Sequence, residues 1–437
     1  MSALARYFHA NGKFVGGYDR ISTPLTKELS ALGISIHHDD NTSSIPKEFT
    51  DKDTTLIVRT PAVPAEHKEL NYFTDNGFII MKRARVLGLI FNAHKGIAIA
   101  GTHGKTSVGT LTSYLLREAG IDCSSFLGGI SKNYDTNLLI GKSEYVVAEA
   151  DEFDRSFLQL HPYISLVTTV DADHLDIYRD FEDLKDTFSL FVSQTLPGGT
   201  IILKEGIDIP IPEGRKKLTY SYDNPEADFF ASDINIENGN YRFSINTPVD
   251  KYEGFQIQVP GKTNIENTIA AVAICFTLGA EINKLQQPLY NYKGVRRRFD
   301  IQYKSSSIIY VDDYAHHPRE LDAIISSMRD LYKGKKLTGI FQPHLYTRTR
   351  DFCDEFANSL SKFDELILLD IYPAREKPLP GVTSDILFDK IEGITKHRCS
   401  KENLLFMLKD LNIEVLLTVG AGDIDQLVEP IKDFLKN

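Results

Sequence analysis

Gly96-Ile97-Ala98-Ile99-Ala100-Gly101-Thr102-His103-Gly104-Lys105-Thr106-Ser107 is the stretch whose reading decides the fold. A short apolar run reads as a buried strand, the glycine-punctuated turn follows, and Val108, Leu111, Leu115 and Leu116 then recur at helical spacing. Strand, glycine loop and helix in that order form a phosphate cradle. Glycines let backbone N–H groups face phosphate oxygens, and the helix N-terminus adds partial positive charge. Lys105 can reach the outer phosphates and the Thr106 hydroxyl can ligate magnesium. The pattern is the shorter GxxGK[ST], because Ile99 stands where the longer Walker pattern has glycine.

Working outward, strands at Tyr145–Ala148 and Ile164–Val170 each run into an acidic cluster, Glu149 to Asp154 and Asp171 to Asp176. Alone, each cluster suits a solvated loop. If both strands neighbour the one before the glycine loop, their carboxyl ends meet at its crevice, where open α/β sheets bind ligands. Magnesium held by Glu149 and His174 is then the expectation.

Strand and helix periodicities alternate through most of the chain, predicting α/β domains with parallel sheets. An N-terminal block begins with a helix around Leu4, Tyr7 and Phe8, passes through an extended Lys13–Asp19 and a helix from Pro24 to Gly33, and carries a buried strand at Thr55–Arg59. Short alternating segments from about Leu218 to Val259 predict an antiparallel extension of the central block, closed by a helix from Asn264 to Leu278. A third block alternates strands at Ile308–Val311, Leu337–Phe341, Leu366–Ile371 and Val415–Val419 with helices, as a doubly wound sheet does.

With 437 residues, two or three domains are expected. The formal charge of -11 leaves no cation excess for a nucleic-acid backbone, and no apolar run approaches the about 20 residues of a membrane helix. Cys123, Cys275, Cys353 and Cys399 lie far apart without a CxxC pair, and the first residues carry no signal-peptide core. A cytoplasmic protein binding small phosphorylated ligands, without nucleic acid or membrane insertion and as a monomer or homodimer, fits these features.

Eight segments taken together resemble the Mur ligase family over essentially the whole chain: GTHGKTS (101–107), GGISKNYDTN (128–137), EADEFDRSF (149–157), DADHLD (171–176), GKTNIENTIAA (261–271), GVRRRFD (294–300), DDYAHHP (312–318) and QPHLYTRTRDF (342–352). The resemblance implies three domains: a Rossmann-like UDP-sugar-binding domain over 1–92, a central P-loop ATPase domain over 93–292, and a C-terminal doubly wound ligase domain over 293–437. It implies ATP-dependent joining of L-alanine to UDP-N-acetylmuramate through an acyl phosphate, with ATP and two Mg2+ ions. The alternative is a related ligase of the family adding another amino acid or a peptide to the same sugar nucleotide. Tyr372-Pro373-Ala374-Arg375-Glu376 favours alanine. So does Thr187-Phe188-Ser189, where sister ligases place a carbamylated lysine.

By the same resemblance, Gly101, Thr102, His103, Gly104, Lys105, Thr106 and Ser107 hold the ATP phosphates, and Thr106, Glu149 and His174 hold metal. Asn264 and Asn267 face adenine, Arg298 and Asp313 reach ATP, and His103 and Asn133 lie near the UDP-sugar. Tyr314, His316 and Arg348 orient the muramoyl lactate and alanine, and Lys105, His174, His316 and Arg348 form the catalytic set, with His316 taking the proton of the incoming amine. One departure stands out. Family members usually start with a strand and a GIGGIGM-type loop ahead of the helix that begins here at Ser2. The expectation is that the start is internal, or that UDP-sugar binding is impaired.

Overall fold

The computed structural model describes residues 1–171, 178–237, 240–374 and 376–436. They form two compact units, one of residues 1–229 and 270–285, the other of 230–269 and 286–437.

In the first unit, α1 (Ser2–Ala10), β1 (Gly16–Tyr18), α2 (Pro24–Ala31), β2 (Ser35–His37), β3 (Leu56–Arg59), α3 (Lys68–Asp75), β4 (Ile79–Lys82) and α4 (Arg83–Asn92) precede β5 (Lys95–Ala100) and α5 (Lys105–Glu118). Then come β6 (Ser124–Ser131), β7 (Thr136–Leu139), β8 (Tyr145–Ala150), β9 (Ile164–Val167), α6 (Phe181–Ser193), β10 (Thr200–Lys204) and β11 (Lys216–Ser221). The central strands lie in the order β11-β10-β9-β5-β8-β6-β7. All neighbours pair in parallel from β11 to β6, and β7 runs antiparallel at the edge.

Strand β5 is central because Ile97, Ala98, Ile99 and Ala100 are fully buried, the apolar run a strand needs when both faces are covered. Helix α5 buries Val108, Leu111, Leu115 and Leu116 against the sheet. On one face, Leu4 of α1, Phe91 of α4 and Phe157, Phe188 and Phe191 share a core with Ala98, Ala148 and Val167.

Two corrections arise here. The Thr55–Arg59 strand, expected to be buried, is β3; it pairs with β4 in a separate two-stranded parallel sheet, and Leu56 is 41% exposed. A two-stranded sheet covers little, so an apolar run does not by itself bury a strand. Strands β1 and β2 form a second parallel pair. The antiparallel extension begins later than Leu218, since β11 is parallel to β10.

In the second unit, β12 (Phe229–Glu237), β13 (Asn240–Asn246) and β14 (Lys251–Ile257) make the antiparallel ribbon. Helix α7 (Lys262–Thr277) begins in this unit, and α8 (Gln286–Asn291) follows. The remaining elements are β15 (Asp300–Lys304), β16 (Ile309–Asp313), α9 (Pro318–Leu331), β17 (Leu337–Phe341), α10 (Tyr346–Asp351), α11 (Cys353–Leu360), β18 (Glu365–Leu368), α12 (Asp385–Lys390), β19 (Thr395–Arg398), α13 (Leu404–Leu408), β20 (Val415–Val419) and α14 (Val428–Lys436). Their sheet has the order β15-β16-β20-β17-β18-β19, parallel except for β15, with helices packed on both faces. It is the doubly wound arrangement expected, with edge strands β15 and β19 added. No helix among the described residues is long and apolar enough to cross a membrane.

Candidate functional site

Register brings three loops together. Ala100 at the end of β5 lies opposite Ala150 of β8 and Val167 of β9, so residues 101–104, 151–154 and 168–171 leave the sheet at one place. The glycine loop is fastened to the β9 side: Thr102 N donates to Thr169 O (3.0 Å), Thr102 and Thr169 hydroxyls lie 2.8 Å apart, and His103 N donates to Thr169 Oγ1 (3.0 Å). Gly101 needs to be glycine, since φ is +130° and a Cβ would lie 2.0 Å from Thr168 Oγ1. Gly104 turns the chain into α5 at φ +86°.

Lys105 Nζ donates to Gly101 O (2.7 Å) and to Glu152 Oε2 (2.6 Å). Burial favours the neutral amine, but the carboxylates of Glu152, Asp151 and Glu149 outweigh it and hold the ammonium above its ordinary range. Thr106 Oγ1 donates to Glu149 Oε2 at 2.8 Å. Gly128 on β6 lies against this pair, where a Cβ would stand 1.9 Å from Glu149 Oε2 and 2.8 Å from Thr106 Oγ1.

The acidic cluster therefore separates by role. Asp151 caps the turn at Phe153 N (3.1 Å) and Asp154 pairs with Lys82 (2.8 Å), leaving Glu149 and Glu152 facing the loop. Of the second cluster, Asp171 lies 3.9 Å from His103 Nε2, and its N–H donates to Thr102 Oγ1. His174, with Asp173 and Asp176, lies outside the described residues. Among the described residues no three His, Cys, Asp or Glu side chains converge as a metal cage. The Thr106 hydroxyl and Glu149 carboxylate suit magnesium nonetheless, because that ion takes one or two protein oxygens and fills its octahedron with water and phosphate. Ser107 lies in the first turn of α5, and Asn133 in the turn between β6 and β7.

The second unit carries another cluster at the carboxyl end of its sheet. Asp313, the last residue of β16, accepts from Phe299 N (2.7 Å) and Ala315 N (2.8 Å). Burial raises its carboxyl to about 6, against the pull of Arg298. The guanidinium carbons of Arg297 and Arg298 lie 5.2 and 5.1 Å from the Tyr314 ring centre. The His316 ring centre is 5.2 Å from that of Tyr314 and 5.9 Å from that of His344. Burial lowers the His316 pKa, Glu320 opposes this, and Arg348 reinforces it. Thus Arg298, Asp313, Tyr314, His316 and Arg348 share one neighbourhood. Asn264 and Asn267 open α7 one turn apart, with Asn264 Nδ2 donating to Pro260 O (2.7 Å) and Asn267 buried.

Four residues escaped the sequence reading: Glu152, Gly128, Arg297 and Glu320. Arg297 sits at φ +62°, with Nε 3.2 Å from the buried Asp312 and Nη2 2.5 Å from Gly420 O. A glycine pair inside a strand signals close backbone approach, and Glu two residues after His317-Pro318 marks a helix N-terminus. Those signals could have found Gly128 and Glu320.

Comparison with known proteins agrees with this architecture. Profiles for the Mur ligase family catalytic domain, the Mur ligase middle domain and the Mur ligase glutamate ligase domain match residues 1–95, 99–275 and 297–423 in turn, giving three domains. A UDP-N-acetylmuramate–L-alanine ligase of Parabacteroides distasonis is 50% identical over 438 residues, covering 100% of this chain and 95% of that one. That of Porphyromonas gingivalis is 48% identical over 440 residues, covering 100% and 96%. The crystal structure of a UDP-N-acetylmuramate-alanine ligase from Thermotoga maritima superposes with a TM-score of 0.84 at 23% identity, over 100% of this chain and 96% of that one. With its three domains matched in order and full-length identity to such relatives, this chain belongs to the Mur ligase family.

Proposed function

We propose that this chain is a cytoplasmic, ATP-dependent ligase that joins L-alanine to UDP-N-acetylmuramate in peptidoglycan synthesis, with domains over 1–92, 93–292 and 293–437. The observation that carries the reading is the cradle at the carboxyl ends of β5 and β8, where Lys105, Thr106, Glu149 and Glu152 meet in a chain half identical to ligases of that name.

The chemistry follows from charge. A carboxylate attacking a γ-phosphate brings two anions together, and two unit charges about 4 Å apart repel by about 4 kcal/mol at an effective dielectric of about 20. Lys105 supplies a fixed ammonium, and the loop N–H groups with the α5 N-terminus supply dipoles. Thr106 and Glu149, together with His174, would hold magnesium, which supplies the remaining positive charge when bound. The lactyl carboxylate oxygen bonds to the γ-phosphorus, the bond from that phosphorus to the β,γ-bridging oxygen breaks, and an acyl phosphate and ADP result. Asn264, Asn267, Arg298 and Asp313 are assigned to ATP, His103 and Asn133 to the sugar nucleotide, and Tyr314, His316 and Arg348 to the lactyl group and alanine.

Phosphate release with ATP, Mg2+ and UDP-N-acetylmuramate, with and without L-alanine, tests the proposal. Release that needs alanine supports it. Release that needs a different amino acid or a peptide instead assigns the chain another place in the family, and release without the sugar nucleotide overturns the reading.

A further inference from the structure

We propose that Glu320 is a positioning residue for amide formation, its carboxylate holding the His316 ring with Nδ1 turned inward and Nε2 left to accept the proton of the incoming amine. The inference rests on the reaction assigned above and adds to it a residue and a half-reaction.

Glu320 lies in the first turn of α9, where a carboxylate also complements the helix N-terminus. Its Oε2 accepts from His316 N (3.0 Å) and lies 3.3 Å from His316 Nδ1, while Oε1 is 3.8 Å from Arg298 Nη1. Nδ1 also lies 3.0 Å from Tyr314 O. A carbonyl can only accept, so that bond puts the ring proton on Nδ1. In the neutral ring the lone pair is then on Nε2. The Tyr314 carbonyl fixes the tautomer, and the Glu320 carboxylate, bonded to the His316 backbone N–H and 3.3 Å from Nδ1, holds the ring on that side as a carboxylate does for a histidine base.

The charged and titratable groups around His316 are Glu320 on α9, Arg298 before β15, Arg348 on α10, and the rings of Tyr314 and His344. Asp313 at the end of β16 adjoins the same group, its carboxyl raised to about 6 by burial, and Glu320 is the carboxylate nearest the His316 ring. Burial and the two arginines lower the histidine's proton affinity and Glu320 restores part of it, so the ring is held in its neutral, proton-accepting form.

The step balances. The alanine ammonium gives one proton to Nε2, and its freed lone pair forms the C–N bond at the acyl carbon. The C–O bond to phosphate then breaks with its electron pair, and the second nitrogen proton leaves with the phosphate as hydrogen phosphate. His316 moves no proton in forming the acyl phosphate, so Glu320 should matter more to the second half-reaction than to the first.

The test compares wild type, E320Q and E320D in two assays. Alanine-dependent phosphate release follows the whole reaction, and hydroxamate formation with hydroxylamine, already neutral at pH 7, follows acyl phosphate without the base. E320Q should lose about ten- to a hundredfold in alanine-dependent kcat while hydroxamate formation falls far less. The acid limb of its kcat profile should move to lower pH, because the neutral amide no longer raises the His316 pKa, and E320D should recover part of the rate. Wild-type kcat and pH profile in E320Q overturn the proposal. So does equal loss of both half-reactions in E320Q and E320D, which marks a structural role. Absence of alanine-dependent release in wild type overturns the reaction itself, whatever the Glu320 variants do.

Discussion

Replacing Gly128 with alanine adds one methyl group and separates stability from function. The new Cβ would stand 1.9 Å from Glu149 Oε2, 2.6 Å from its carboxyl carbon and 2.8 Å from Thr106 Oγ1. Ordinary contact needs roughly 3.5 Å, so the carboxylate must retreat by about 1.5 Å. The atoms in the way are the carboxylate end of Glu149 and the Thr106 hydroxyl, and Gly128 is not at positive φ, so the fold gives way cheaply. Overpacking costs typically about 1–3 kcal/mol, and the low end is expected here. The site gives way expensively: the 2.8 Å Thr106–Glu149 bond is broken and the two oxygens assigned to magnesium move apart. A misplacement of about 1 Å at a reacting centre can lower rate about a hundredfold. Titrating ATP-dependent phosphate release with Mg2+ should therefore show G128A with a raised metal requirement and a rate about a hundredfold lower, beside a thermal midpoint within a few degrees of wild type. Wild-type rate and metal dependence in a folded G128A would refute the assignment of Glu149 and Thr106 as a metal pair.

Lys105→Met should abolish ATP turnover and also destabilise the protein by about 3–5 kcal/mol in urea unfolding, because the fully buried Glu152 loses its partner; adding E152Q should restore stability and not activity. Asp313 imposes a pH dependence of unusual sign: its folded pKa of about 6 exceeds the unfolded 3.8, so the native state holds the extra proton, and its contribution, present below 3.8, declines by roughly 3 kcal/mol as pH rises through 6. Urea unfolding of wild type against D313N from pH 4 to 7 should show that decline in wild type alone. E152Q alone should bind ATP more tightly than wild type in the presence of EDTA, because one negative charge is removed beside the Lys105 ammonium; isothermal titration that finds no gain would contradict this.

Sequence pattern exposed the parts of this molecule whose cause is local. The glycine loop announced itself because the apolar period changes from strand to helix within seven residues, and the doubly wound second sheet because its strands are uniformly apolar. Burial of β3 was misjudged for a non-local reason: Leu56-Ile57-Val58 reads like β5, and only the number of strands beside it leaves Leu56 in solvent. The choice between Glu149 and Glu152 as the partner of Lys105 was equally invisible. It depends on where β8 ends, with Glu149 still in register opposite Ile99 and Glu152 beyond the strand in the following turn. Glu320 was hidden by its neighbours, since two histidines and a proline drew attention to 316–318 while the carboxylate that reaches back lay one helical turn further on.

Charge at the cradle explains why two acids are kept there. The Lys105 ammonium is aimed by Gly101 O and by the buried Glu152 carboxylate, which also offsets part of its charge. Glu149 accepts a hydrogen bond from the Thr106 hydroxyl, which carries no charge. With Asp151 close by, the cradle is net negative on its own side chains, and a bare triphosphate meets repulsion that the loop dipoles only partly offset. A divalent cation held by Glu149, as proposed above, would reverse that balance. On the proposed metal assignment, the Glu149 carboxylate would favour the nucleotide with its metal over the nucleotide alone, while the buried Glu152 carboxylate aims the Lys105 ammonium.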